Sequence, residues 1–354
     1  MLKALVIALA VTWSAALAGP IGFAQTNFAS DSTDANLVNP WGIAASSTSP
    51  FWLGANGTGT SVLYNGAGVK QGLVVSIPGD GSVTGVAFNT GAAGGAFNGD
   101  AFLFASEDGT ISGWRGALGT SAEVLVTADP NNVYKGLTDA SFNGNQYAYL
   151  ANFKTGKIDV LKGTAAAPDL AGSFTDPTLP AGYAPFNVTV LGGSIYVAYA
   201  LQGAGKDDDP GAGHGFVDKY DLNGVFQTRL ISQGALNSPW GLAIAPAGFG
   251  DVGGALLVGN FGDGRINAYN STTGAFIQTL TDASGNPLVI DGLWGLAVGN
   301  GANAGSVYFT AGPGGEEHGL FGKLAPVPEP ATWLLSGCSF LLLAVRRVFK
   351  TRPA

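Results

Sequence analysis

Short apolar runs recur along this chain, and clusters of Gly, Asp, Asn and Ser separate them. Runs this short predict β-strands, because a helix needs an apolar period near 3.6 sustained over roughly ten or more positions. The stretch from Pro239 to Leu280 shows the grammar best. Trp240-Gly241-Leu242-Ala243-Ile244 is almost wholly apolar, and so is Leu256-Leu257-Val258, so both read as strands buried on two faces. Asp263-Gly264 then predicts a tight turn into Arg265-Ile266-Asn267-Ala268-Tyr269, which alternates as a half-solvated strand does. Phe276-Ile277-Gln278-Thr279 completes a set of four.

The set repeats. Aligned on the small or aromatic residue that opens each first run, copies begin at Trp41, Gly85, Gly136, Phe186, Trp240 and Trp294, about 44 to 54 residues apart. Four short strands per copy predict one blade of a β-propeller, whereas a solenoid coil needs only about 20 to 30 residues. The sixth copy is one strand short, and a spare strand-like segment lies at residues 23–30, ahead of the first copy. The expected fold is therefore all-β, a six-bladed β-propeller closed by an N-terminal strand, which leaves no unpaired edge where the ring meets itself. The recurring Pro-Trp-Gly stretch reads as a register mark that packs blades, not as a site.

Composition narrows the function more than the fold. The chain has 56 Gly among 354 residues, against an ordinary share of about 7%, which suits many tight turns. Its formal net charge is −8, and Lys3, Arg346, Arg347, Lys350 and Arg352 sit near the two ends, so the body between is more acidic still. That excludes nucleic acid and anionic lipid as partners of the body. The single cysteine, Cys338, lies in a C-terminal apolar run, so the body has no internal disulfide and relies on packing.

Both ends read as addresses. Lys3, an apolar run and Ala16-Leu17-Ala18 predict a signal peptide over residues 1–18, cut after Ala18. The body spans residues 19–325, and residues 326–354 hold a Pro-rich start, an uncharged apolar stretch read as a single hydrophobic helix, and a basic end. Val327-Pro328-Glu329-Pro330-Ala331-Thr332-Trp333, with that helix and Arg346-Arg347, resembles the PEP-CTERM sorting signal of Gram-negative bacteria. The resemblance implies that an exosortase reads Pro328, Glu329, Pro330, Arg346 and Arg347. The helix would lie in the membrane before processing, and cleavage would release the body to the cell surface or an exopolysaccharide matrix. A plain single-pass anchor is the alternative. The repeats over about residues 25–325 resemble NHL and lactonase-like propellers. The whole resembles the uncharacterised propellers that carry PEP-CTERM tails.

In a propeller, the loops joining strands two and three share a face with the loops between blades. On that face the sequence places Asp31, Asp34, Asp80, Asp129, Asp176, Asp282 and Asp291, each a good turn former. Two inserts stand out: Lys206-Asp207-Asp208-Asp209 ahead of His214, and Glu316-Glu317 ahead of His318. The only two histidines thus occupy equivalent places in blades four and six. Asp207, Asp208, Asp209, Glu316 and Glu317 are candidate Ca²⁺ ligands, and His214 and His318 candidate ligand-binding residues, although the spacing matches no EF-hand. The lactonase resemblance implies a cation at the channel mouth, where Asn56, Asn152 and Asn260 end second strands and Glu107 lies near the matching place in blade two. Asn39 and Pro40 stand where that family has its metal-ligand Glu. No nucleophile-His-acid set can be assembled, so no catalytic residue is nominated. The expected function is an exported binding or structural module for extracellular polysaccharide or a surface protein. The alternative is a divalent-cation-dependent hydrolase of the lactonase type.

Overall fold

The computed structural model describes residues 22–327, so the expected signal peptide and the sorting tail with its helix lie outside the described residues. Strand β1 (Phe23–Ser30) precedes blade one, which comprises β2 (Pro40–Ala44), β3 (Phe51–Ala55), β4 (Thr60–Tyr64) and β5 (Lys70–Ser76). Blade two holds β6 (Val83–Phe88), β7 (Phe102–Ser106), β8 (Ile111–Trp114) and β9 (Glu123–Val126). Blade three holds β10 (Tyr134–Phe142), β11 (Asn145–Asn152) and β12 (Lys157–Lys162). Blade four runs through β13 (Tyr183–Leu191), β14 (Ser194–Leu201), β15 (Phe216–Tyr220) and β16 (Phe226–Ser232). Blade five has β17 (Pro239–Ile244), β18 (Leu256–Asn260), β19 (Ile266–Tyr269) and β20 (Phe276–Thr279), and blade six β21 (Leu293–Val298), β22 (Val307–Ala311) and β23 (Leu320–Pro326). All six sheets are antiparallel, and β1 is the outer strand of blade six, with Phe23 opposite Pro326 and Ser30 opposite Leu320. The ring is therefore closed by its N-terminal strand, as the spare segment led one to expect.

Every inner strand is bulged at one place. The ladder skips between Pro40 and Ile43, Val83 and Val86, Tyr134 and Gly136, Pro185 and Asn187, Pro239 and Gly241, and Leu293 and Leu296. The residues in the bulge are Trp41, Thr84, Lys135, Phe186, Trp240 and Trp294, and the next position is Gly42, Gly85, Gly136, Asn187, Gly241 and Gly295. The sequence alignment on Gly85 and Gly136 was thus one residue late in blades two and three. Glycine is needed after the bulge because the next blade comes within contact. A Cβ on Gly85 would lie 2.4 Å from Leu137 N, and one on Gly136 2.1 Å from Asn187 Oδ1. Three side chains complete the belt: Thr84 donates to Tyr134 O at 2.8 Å, Asn187 to Trp240 O at 2.7 Å and Thr310 to Trp41 O at 2.6 Å.

Between blades the core is largely aromatic. Trp52 stacks on Phe102 at 4.2 Å between blades one and two, and Phe51 packs on Tyr308 at 4.3 Å across the closure. Blade three departs from the expected four strands, because β12 has no outer neighbour. The connection that follows carries Pro168, Pro177 and Pro180, which cannot donate to a ladder. It bonds instead to the outer hairpin of blade four, through Gly172 N–H to Asn223 O and Phe174 N–H to Gly224 O, both at 2.9 Å.

Candidate functional site

The bulge positions bring Trp41, Phe186, Trp240 and Trp294 together in the channel, where Phe153 and Phe261 join them from the ends of second strands. Trp41 stacks on Trp294 at 3.7 Å, Phe261 stacks on the same indole at 4.0 Å, and Trp240 meets Trp294 edge-on at 5.8 Å. Offset and edge-on contacts of this kind suit the aromatic quadrupole. Two of the indoles have hydrogen-bond partners: Trp240 Nε1 donates to Lys135 O and Trp294 Nε1 to Asn39 Oδ1, each at 3.0 Å. Trp41 Nε1 is buried without one. The Pro-Trp-Gly stretch is therefore more than a register mark, because its side chains plug the channel.

Lys135 occupies the same position in blade three, and its side chain is only 3% exposed. Its Nζ lies 4.9 Å from the Trp41 ring and donates to Glu107 Oε1 at 2.6 Å. Glu107 Oε2 accepts a second bond, 2.7 Å long, from Lys206 in the blade-four insert. Burial alone would push the Glu107 carboxyl up, but the charges and hydrogen bonds of Lys135 and Lys206 outweigh it and hold the group below its ordinary range. The insert thus lies over the plug, latched by Lys206. Sequence reading missed Lys135, since the one-residue offset hid a lysine standing in a row of aromatics.

The sequence candidates divide into three groups. Glu107, Asp207, Asp208 and Glu316 converge on Lys135, near enough to act on its charge or on one another. Asp208 Oδ2 is buried without a partner, and burial raises that carboxyl; burial also raises Glu316, whose Oε2 accepts from Asn39 Nδ2 at 2.7 Å. Asn152 and Asn260 turn away into their own blades. Asn152 Nδ2 donates to Asp159 Oδ2 and Asn132 Oδ1, and Asn260 Nδ2 to Ala235 O and Asp263 Oδ1. Phe153 and Phe261 take the places matching Asn56 and Glu107. The third group lies on the rim. His214 Nδ1 bonds Asp209 O at 2.8 Å and His318 Nδ1 bonds Asp31 Oδ2 at 3.0 Å, each at its own blade boundary. Their recurrence has a common cause: each His-Gly backbone receives the residue before the next blade's Pro-Trp, Ser238 N–H on His214 O and Asn39 N–H on His318 O. Among the described residues no three His, Cys, Asp or Glu side chains are grouped to hold a metal ion.

Most of the inter-blade aspartates hold turns or neighbouring loops. Asp34 accepts from Tyr64 and Lys70, each at 2.6 Å, Asp282 from Ser284 and Asn286 backbones, and Asp291 from Gly314. Below the plug the channel is open. A cavity of about 440 Å³ is lined by inner strands of all six blades, from Gly42, Trp240 and Gly295 to Asp139 and Asn300 at the far rim. Burial raises Asp139 to about 6.

No described family profile matches the chain. It is 33% identical over 315 residues to uncharacterised protein R648 of Acanthamoeba polyphaga mimivirus, covering 82% of this chain and 76% of that one. Uncharacterised protein L690 of the same virus is 32% identical over 312 residues, covering 82% and 81%. The chain belongs to one family with these two proteins. Among solved structures, virginiamycin B lyase from Staphylococcus aureus aligns at TM-score 0.50 with 11% identity, over 87% of this chain and all of that one. PQQ-bound aldose sugar dehydrogenase from Streptomyces coelicolor aligns at 0.50 with 13% identity, over 87% and 99%. At such identities the likeness concerns the fold alone.

Proposed function

We propose that this protein is an exported propeller that acts as a binding or structural component, sorted by an exosortase to the cell surface or an extracellular matrix. What supports the binding reading is the state of Glu107. Its two oxygens are committed to Lys135 and Lys206, at 2.6 and 2.7 Å, so this acid beside the plug serves a structural latch. The Lys135 ammonium already holds the acid that a channel-mouth cation would need, and a cation bound to Glu107 would face like charge. Polysaccharide or a surface protein is the partner class that an acidic, exported body fits. Sorting rests on the tail motif, which begins at Val327, whose N–H closes on Gly22 O at 2.8 Å.

The test measures thermal unfolding of the exported protein with Ca²⁺ and with a chelator, beside lactone and phosphoester hydrolysis. No shift and no turnover is the expected result. Ca²⁺-dependent turnover lost in Glu107→Gln would establish the hydrolase instead. For sorting, Glu329→Ala should retain the protein in the membrane fraction, and unchanged localisation would refute the exosortase reading.

A further inference from the structure

Five blades carry a fourth strand and blade three does not, yet the place for one is kept. Gly163 N–H donates to Gln146 O at 2.7 Å, which fixes the phase of the β11–β12 ladder. Alternation along an antiparallel pair then turns the N–H and C=O of Ile158, Val160 and Lys162 away from β11. Among the described residues these groups bond to no other backbone. The connection that could have covered them stands off. It is anchored on blade four by Gly172 and Phe174, on Tyr147, whose hydroxyl donates to Pro168 O at 2.8 Å, and on Lys162 by an ion pair with Asp169 at 2.9 Å. Between it and β12 lies a cleft of about 630 Å³, walled by Val160, Leu161, Leu170 and Phe174. With six residues at about 3.4 Å each, the open edge is roughly 20 Å long.

We infer that this cleft binds an extended peptide segment of another protein, which adds to β12 as the missing outer strand of blade three. The molecule already shows that an outer strand can come from elsewhere, since β1 fills that place in blade six from the far end of the chain. Main-chain bonds to Ile158, Val160 and Lys162 would give affinity, and the cleft walls would select apolar side chains at alternate positions. Lys157, exposed at one end of the edge and in no ion pair among the described residues, favours an acidic flanking residue on the incoming strand. The lysines at the two ends also blunt the edge against indiscriminate pairing, leaving the apolar centre to discriminate.

The probe is a synthetic peptide with a leading glutamate and alternating valine and threonine, added to the full chain while amide exchange is followed. Exchange at Ile158, Val160 and Lys162 should slow by about tenfold or more. N-methylation of the peptide's alternate amides should abolish that protection. So should Val160→Pro, which removes one outward N–H from an edge strand that tolerates it. Unchanged exchange of the folded core amides verifies the fold of that variant. No protection at millimolar peptide, or protection indifferent to N-methylation, overturns the inference. Self-association abolished by Val160→Pro would seat a second copy there, and protection by a peptide of residues 328–354 would seat the chain's own tail. Either result overturns the assignment to another protein.

Discussion

Lys135 and Glu107 form a buried pair with 3% and 6% of their side chains exposed, and Lys206 covers them from the insert. Removing one partner of such a pair leaves an uncompensated charge, a loss typically of about 3–5 kcal/mol. Lys206 remains in Lys135→Met, so the expected cost is at the lower end, about 3 kcal/mol by denaturant unfolding. The double variant Lys135→Met/Glu107→Gln should recover much of it, because the stranded charge is gone. Since the Glu107 carboxyl is held below its unfolded range, its contribution is present above that range and lost as pH falls through the folded value. Asp218 behaves oppositely. Burial, then the neighbouring charge of Asp176, raises it to about 7, and Arg229 only partly offsets them. A raised acid contributes stability that is present below its unfolded pKa and lost as pH rises through about 7. Asp218→Asn should therefore gain on the wild type by about 1 kcal/mol per pH unit from roughly pH 4 to 7 and hold a level advantage above, read from unfolding at several pH values.

At the scale of the strand, the bulge and its following glycine set how closely blades approach. Gly85→Ala would place a methyl 2.4 Å from Leu137 N, against backbone that cannot give, so a loss of about 2–3 kcal/mol is expected. Gly72→Ala, with open space around it on an outer strand, should change stability by less than about 0.5 kcal/mol. Equal effects in thermal unfolding would mean that inter-blade contact is not what the glycine serves. This belt also explains what the sequence could and could not disclose. Strand period and turn residues are local, so β1 and the six repeats were legible before any contact was known. The bulge is not local: it is defined by the ladder on one side and the next blade on the other, and an alignment on the small or aromatic residue opening each run slid by one residue past Thr84 and Lys135. Blade three failed for a related reason, since its prolines mark a missing strand only once β12 is seen with an open edge. The two inserts were legible as unusual loops, yet their meeting at Lys135 depends on ring closure.

Ring closure belongs to the whole molecule, and β1 is the place to test it. Phe23 is 1% exposed and packs on Phe249 of blade five at 4.8 Å, while its N–H donates to Thr281 O at 2.8 Å. Thus β1 joins blade six by its ladder and blade five by its first side chain. Deleting residues 22–30 would strip β23 of a partner along its length, expose Phe249 and loosen Phe321, which Phe28 touches at 5.8 Å. In an open array that would be a local loss, but a ring shares the cost among its neighbours, because Phe51 and Tyr308 pack across the closure on the same cluster. The deletion should therefore lower the thermal midpoint of the entire body in one cooperative step, without a separate early transition for blade six. Adding a peptide of residues 22–31 should restore the midpoint in a concentration-dependent way, as mass action on a strand bound only by the folded state requires. A biphasic melt, or rescue by a scrambled peptide, would show that blade six stands on its own and that closure by β1 is not what makes the six blades one unit.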